Sequence, residues 1–334
     1  MSPTAPQTVT EKSRLSVAPM LDWTDSACRV FHRQFSKNTL LYTEMVTAPA
    51  IVHGMRTRLL DFRAAEHPVA LQLGGSDPAQ LREAVRIAAP WGYDEINLNC
   101  GCPSDRVQSG SFGAVLMRQP DLVAACVSEM MAASPVEVTV KCRIGVDDQD
   151  PQEVLPAFLE KIAAAGVRRV TIHARKAWLQ GLSPKENRDV PPLDYDLVFA
   201  MKAAFPQLHI SLNGGVKSLA AARELLDRGL DGVMIGRAAY HEPADILGAA
   251  DATIWGAGTT TTAEDAVVAM FPIIEDHIQQ GGRLHQITRH MLGAFAGRPG
   301  ARHWRRILSE EGTRDDAGVA TVERALAAVI SLAA

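Results

Sequence analysis

The residues in this chain best suited to chemistry fall in short polar segments, each closing an apolar run. Cys100-Gly101-Cys102-Pro103 invites a metal reading, because thiolates bind zinc. The spacing is C-x-C, however, and no second Cys/His pair follows nearby, so neither zinc nor an iron–sulfur cluster is expected. A cysteine in a Gly/Pro loop is better placed as a nucleophile or proton donor. An ordinary cysteine, with a pKa of about 8.5, is mostly thiol at neutral pH, which suits a general acid. Lys141 and His173 close two later runs. The lysine could form a Schiff base with a sugar phosphate, could hold the carbonyl edge of an electron-rich ring, or could be a buried partner of Glu44.

These segments recur with a regular framework. Apolar or β-branched runs at 16–20, 40–46, 68–75, 94–101, 136–145, 168–175, 209–216 and 231–237 are each followed by an Ala- and Leu-rich stretch of helical spacing. Strands alternating with helices pair in parallel through right-handed crossovers. Eight such units close a (β/α)8 TIM barrel. An open doubly wound sheet is disfavoured, because the first strand–helix turn, Ala18-Pro19-Met20, lacks a G-x-G-x-x-G fingerprint. The expected organisation is a flexible leader at 1–13, a barrel at 14–254 and a small helical domain at 255–334. Thr262 is expected to cap the first helix of that domain ahead of Asp265.

A barrel places its active site at the C-terminal ends of its strands. Read in order, those ends are Pro19-Met20, Glu44, Gln72, Asn99 with Cys102, Lys141 with Arg143, His173, Asn213-Gly214-Gly215 and Gly236-Arg237. Barrels often build a phosphate site after strands seven and eight. There the glycines let backbone N–H groups approach phosphate oxygens, and Arg237 can add a bidentate contact. A phosphate-bearing ligand is expected.

Bulk properties narrow the function classes. The 334 residues are 47% hydrophobic and 22% charged, ordinary values for a globular protein. No apolar run reaches the length of about 18 residues expected of a membrane helix, and residues 1–12 lack the apolar core of a secretory signal. A cytoplasmic protein without a membrane partner is expected. Five cysteines argue against a disulfide framework in such a chain. The formal net charge of −4 requires any nucleic-acid contact to come from a local patch. One candidate runs from Arg283 to Arg306, with arginines at 283, 289, 298, 302, 305 and 306, three histidines and no acidic residue. A solvated helix face is the ordinary meaning of such a run. Joined to Arg175, Lys176, Lys185 and Arg188 in the stretch after strand six, it becomes a bipartite RNA-binding surface. Trp178 and Trp304 could stack on bases or lie buried.

The chain resembles the tRNA-dihydrouridine synthases, flavin enzymes that reduce uridine in the D-loop of tRNA. The motifs that carry the resemblance are VAPMLDWTD (17–25), LLYTEMVTAPAIVHG (40–54), LQLGG (71–75) and INLNCGCPSDRVQSGSFGAVLM (96–117). VKCRIGVDD (140–148), TIHARKAWLQGLSPKENR (171–188), LNGGVKS (212–218) and GVMIGRAAY (232–240) complete it. The segment after strand six is similar to the A-type branch, which acts on uridines 20 and 20a. The resemblance implies FMN held by Ala18, Pro19, Met20, Gln72, Lys141, His173, Asn213, Gly214, Gly215, Gly236 and Arg237, with NADPH as reductant. It implies Cys102 as the proton donor to C5 of uracil, opposite hydride arriving at C6, with Asn99 and Arg143 at the uridine. Lys185, Arg188, Arg302 and Arg305 would then contact the D-loop and elbow of tRNA. The expected enzyme is a monomer with no obligate protein partner. Cys100 departs from the apolar or small residue common in the family, and is expected to complicate thiol labelling. A flavin barrel acting on a small molecule, a Schiff-base aldolase and a pure RNA-binding module are the rival readings.

Overall fold

A computed structural model describes residues 9–104 and 112–333. Eight parallel strands close a barrel in chain order: β1 Leu15–Val17, β2 Leu40–Thr47, β3 Val69–Gly74, β4 Glu95–Cys100, β5 Val138–Arg143, β6 Arg169–His173, β7 His209–Asn213 and β8 Gly232–Ile235. All eight runs expected from the sequence are strands. Apart from β2, which runs one residue further than expected, the ladders are shorter than the expected runs, because the polar ends of the runs have already turned into loops over the mouth. Met20 illustrates this, since its carbonyl accepts from the N–H groups of Trp23 and Thr24 and closes a turn.

The principal helices packed outside the barrel are α1 Ser26–Phe35, α2 Pro78–Ala88, α3 Pro120–Ala133, α4 Pro151–Ala164, α5 Tyr195–Ala204 and α6 Leu219–Asp227. Several start where an aspartate or serine side chain accepts an early backbone N–H: Asp25, Asp77, Asp150, Asp194 and Ser218. At Asp77-Pro78 and Asp150-Pro151 the cap precedes a proline, whose fixed φ suits the first turn.

Alternation along the strands separates two environments. Leu71, Leu73, Ile96, Leu98, Val138, Val140, Val170, Ile172, Ile210 and Leu212 belong to the large apolar core shared with the helices. The intervening residues include Gln72, Asn97, Asn99, Thr139, Thr171, His173, Ser211 and Asn213, all buried. A small apolar group of Ala18, Leu40, Tyr42, Ala70 and Met234 packs separately from that core. The barrel interior is therefore largely polar, and every such group needs a partner or a ligand.

Beyond residue 255 the described chain is helical: α7 Ala263–Ala269, α8 Phe271–Gln279, α9 Leu284–Thr288, α10 Ala301–Glu310 and α11 Val319–Ala333. Thr262 caps α7 in a capping box with Asp265, as expected. Val267, Ile274, Phe295, Trp304 and Val329 of this region belong to the same apolar core as the barrel strands. Asp25 fastens the junction, receiving Arg289 at 2.5 Å and His290 at 3.0 Å while capping α1.

Residues 1–8 lie outside the described residues, but Val9–Lys12 form a helical turn. Lys12 Nζ donates to Asn38 at 2.6 Å, Trp255 Nε1 donates to the Glu11 carbonyl at 2.9 Å, and Ser13 is buried. These contacts dock residues 9–13 against the barrel.

Candidate active site

Strand register sets the site's geometry. Asn99 stands level with Lys141, and Arg143, His173 and Asn213 stand level with one another two residues further along β5, so residues from β4 to β7 meet at the mouth in two successive layers. Cys102 lies two residues past β4 and is partly exposed. Its backbone N–H and that of Gly101 both donate to Asn99 Oδ1 at 3.0 Å, while its carbonyl accepts from Ala114 N–H at 2.9 Å. The sulfur lies 3.5 Å from Ser104 Oγ. Residues 105–111 of the cysteine motif fall outside the described residues. Cys100, by contrast, is fully buried, and burial pushes its thiol well above the usual range. Buried in the folded chain, Cys100 is shielded from a thiol reagent, which argues against its interfering with labelling of the native protein.

Lys141 donates to Asn213 Oδ1 at 3.1 Å and has no carboxylate partner among the described residues. Glu44 accepts instead from the backbone N–H of Asp22, so the Lys141–Glu44 pairing does not form. Burial, reinforced by the Arg143 charge, pushes Lys141 down to about 8. His173 is driven well below its ordinary range by burial and then by the Arg143 and Lys141 charges, and is a neutral imidazole. Neither group is satisfied by the protein around it. That is the condition of residues awaiting a polar ligand.

The far wall is built from glycine turns. Gly214 and Gly215 have φ of +107° and +74°, conformations that favour glycine. A Cβ on Gly214 would lie 2.6 Å from His173 Cδ2, and one on Gly215 would lie 2.4 Å from Leu193 Cδ1. Tyr195 Oη donates to the Gly214 carbonyl at 2.6 Å and Asn213 Nδ2 donates to the Met234 carbonyl at 2.8 Å, which ties β7 to β8. A Cβ on Gly236 would contact Ala18 and Met20 at 3.6 and 3.5 Å, so the Ala18-Pro19-Met20 turn borders the β8 end.

Two arginines are engaged in ways the sequence did not disclose. Arg237 pairs with Asp189 at 2.7 Å, so a phosphate at this wall would have to compete with that carboxylate. Arg143 is buried and serves as a strut, with Nε donating to the Gly101 carbonyl at 2.9 Å. Its Nη1 donates to the carbonyls of Lys176 and Asn187, each at 2.9 Å. Arg143 thus binds the cysteine loop to the segment after β6. Neither Asp189 nor Asn187 carried a spacing signal, since their partners are remote in sequence.

The basic residues divide. Lys185 and Arg188 are exposed after β6, and Arg302 and Arg305 are exposed on α10 without an ion pair among the described residues. Arg283, Arg289 and Arg298 are instead paired with Asp315, Asp25 and Glu264. The run of six arginines is therefore not one free basic face. Trp304 is fully buried, donating Nε1 to the Met291 carbonyl at 2.9 Å, and cannot stack on a base. Trp178 is 41% exposed, with Lys176 Nζ 5.5 Å from its ring centre. A cavity of about 370 Å³, absent from the sequence expectations, separates the barrel from α8 and α9. Glu44, Arg58, Arg63 and His277 are among its lining residues, drawn from segments too far apart to be recognised together.

A thiol on a held loop, a lysine and an imidazole without a carboxylate partner among the described residues, and a wall of glycine turns, all at the C-terminal mouth, define an enzyme of the (β/α)8 class. The chain belongs to the dihydrouridine synthase family: the sequence profile described as "Dihydrouridine synthase (Dus)" matches residues 16–331. Curated relatives called tRNA-dihydrouridine(20/20a) synthase include one from Salmonella typhi, 55% identical over 98% of this chain and 98% of its own length. Another, from Xanthomonas campestris pv. campestris, is 53% identical over 96% of this chain and 95% of its own. Among solved structures, the old yellow enzyme homologue from Zymomonas mobilis superposes with a TM-score of 0.52 at 13% identity, covering 74% of this chain and 90% of that one. Morphinone reductase gives 0.52 at 14% identity, covering 74% and 87%. These two likenesses concern the fold.

Proposed function

We propose that the enzyme reduces the C5–C6 bond of uridine in the D-loop of tRNA, at positions 20 and 20a, with FMN as cofactor and NADPH as reductant. The observation that supports this reading is one partly exposed thiol facing, across the same mouth, a buried Lys141 with a single neutral partner and a neutral His173. Gly214 and Gly215 let the backbone turn closely against His173 and Leu193, where a Cβ would clash, and Gly236 joins them at the phosphate end, where Arg237 can exchange Asp189 for a phosphate oxygen. Lys141, His173, Gln72 and Asn213 would hold the ring edge, and Ala18, Pro19 and Met20 its apolar side. FMN, when bound, supplies the hydride to C6 of uracil.

The chain's own residues do the rest. Hydride arrival at C6 moves an electron pair toward C5 and the O4 carbonyl, and the Cys102 S–H bond breaks to deliver its proton to C5. The thiolate left behind lies within the field of Lys141 and Arg143, each of which senses the Cys102 charge. Solvent then reprotonates the sulfur. Asn99 and Arg143 Nη2 are assigned to the uridine. Reaching it requires the base to leave its stack, at a cost of a few kcal/mol offset by contacts to the extruded base and flanking backbone. Lys185, Arg188, Arg302 and Arg305 would supply the backbone contacts, the last two from residues 255–334 as a tRNA-binding helical domain. On this reading the enzyme acts as a cytoplasmic monomer. Among the described residues, no helix is long and apolar enough to cross a membrane.

Two measurements test the proposal together. Purified protein should show a flavin spectrum bleached by NADPH. Position-resolved mapping of dihydrouridine should show loss at 20 and 20a in tRNA from cells lacking the gene, with recovery on its return. A colourless protein would overturn the cofactor assignment, and unchanged tRNA would overturn the substrate.

A further inference from the structure

Below the site, polar side chains run from the barrel floor to the Cys102 loop. Glu95 is fully buried, ion-paired with Arg169 at 2.6 Å, and accepts from the Tyr42 hydroxyl at 2.6 Å. The Thr139 hydroxyl donates to Glu95 Oε1. Asn97 Nδ2 donates to Thr139 Oγ1, Gln72 Nε2 to Asn97 Oδ1, and Asn99 Nδ2 to Gln72 Oε1, each at 2.8 Å. Asn99 Oδ1 then accepts from the N–H groups of Gly101 and Cys102, each at 3.0 Å.

Both ends of this chain are fixed by groups that can play only one role. A carboxylate only accepts, so Thr139 must spend its single hydroxyl proton on Glu95 and can only accept from Asn97. Backbone N–H groups only donate, so Asn99 must turn its oxygen toward Gly101 and Cys102. The three intervening amides each have a donor end and an acceptor end. They carry one direction through the barrel, and the orientations demanded at floor and mouth agree. Reversing any amide would set donor against donor at one link and acceptor against acceptor at another. Carried to the top, it would cost the cysteine loop both bonds to Asn99.

We propose that Glu95, Thr139 and Asn97 are positioning residues that hold the Cys102 loop by fixing the amide orientations of Gln72 and Asn99. They act below the ligand site and touch neither substrate nor cofactor. The inference rests on Cys102 as the proton donor for its catalytic consequence, but its structural consequence can be read without tRNA or reductant.

Thr139→Val keeps the side-chain shape and removes the hydroxyl, whereas Thr139→Ser keeps the hydroxyl and removes a methyl. Cys102 is the one partly exposed cysteine and the other four are buried, so iodoacetamide alkylation of native protein reports on its loop. In Thr139→Val, alkylation should be several-fold faster, and kcat on tRNA should fall by up to about 100-fold with a smaller change in KM. Thr139→Ser should restore both. Adding Asn97→Ala to Thr139→Val should make neither readout worse than the more impaired single variant, because links in series are cut only once. Should Thr139→Val not fold, Asn97→Ala is judged by the same alkylation criterion. Wild-type alkylation in a chain-cutting variant, or a Ser variant as impaired as Val, overturns the proposal. Wild-type enzyme inactive on tRNA, with the alkylation difference intact, would instead overturn the substrate assignment.

Discussion

The two sides of the barrel mouth differ in one respect that organises the site. On the β3–β5 side, Gln72, Asn97 and Asn99 have protein partners at both ends of each amide, and the cysteine loop above them is held by Asn99 and Arg143. On the β5–β8 side, Lys141 has one neutral partner and His173 has none for its ring nitrogens among the described residues. Saturated groups are a scaffold, since any change leaves a buried partner unpaired. Unsaturated groups are a socket, since their desolvation is repaid when a ligand arrives. The difference separates what holds the thiol from most of what would hold the cofactor, with Gln72 shared between the two.

The largest effect should come from the held thiol. Cys102→Ala removes the acid without touching the socket, so turnover should fall roughly 10²–10⁴-fold while flavin stays bound. Single-turnover oxidation of the reduced enzyme by tRNA, read from the flavin absorbance, measures this. Loss of flavin in the same variant would show that the two sides are not separable.

The converse variant is Gly214→Ala. An L-residue in the left-handed region costs about 1–2 kcal/mol, and the new methyl would meet the His173 ring at 2.6 Å. Flavin affinity should fall at least about tenfold, whereas iodoacetamide should still react with Cys102 at the wild-type rate. Equilibrium titration of apoprotein with FMN gives the first number and alkylation the second.

A subtler effect is the pH response of Lys141. Its position near 8 lies below the ordinary lysine value of about 10.4. Between those values the unfolded chain binds the proton more tightly, so this group's contribution to apoprotein stability should rise as pH increases from 8 toward 10. Cofactor affinity should move the opposite way, because an ammonium is the better donor to the ring's carbonyl edge. Affinity should therefore fall as pH climbs through about 8. Thermal melts and FMN titrations at pH 7 and 9.5 should show these opposed slopes, and Lys141→Met should flatten both.

How much of this was legible in the sequence follows from what kind of signal each feature leaves. Strands, the Thr262 cap and the ends carrying Cys102, Lys141, His173 and Gly214-Gly215 were readable, because each depends on neighbours within a few residues. The ends converge because barrel closure brings them together, so naming the fold named the mouth. Arg143's three carbonyl contacts were not readable, because a carbonyl acceptor can come from any residue. Nor was the Asn97–Thr139–Glu95 chain, whose links cross between strands and depend on register. The pairing of Arg283, Arg289 and Arg298 was not readable for a related reason. Their acidic partners Asp25, Glu264 and Asp315 all lie outside the run.

That division of the arginines supplies the smallest and most discriminating test. Arg305 stands exposed without an ion pair among the described residues, whereas Arg298 is paired with Glu264 at 2.5 Å. If tRNA is held by unpaired cations, Arg305→Ala should weaken binding a few-fold and lower the slope of log K against log salt by about one. Arg298→Ala should leave that slope unchanged and cost at most about 1 kcal/mol of stability, as expected for a surface pair. The comparison holds net charge constant, because each variant removes one arginine. Equal loss of salt dependence in both would mean that tRNA feels total charge rather than unpaired donors. The division of the basic run into structural and RNA-facing arginines would then fail.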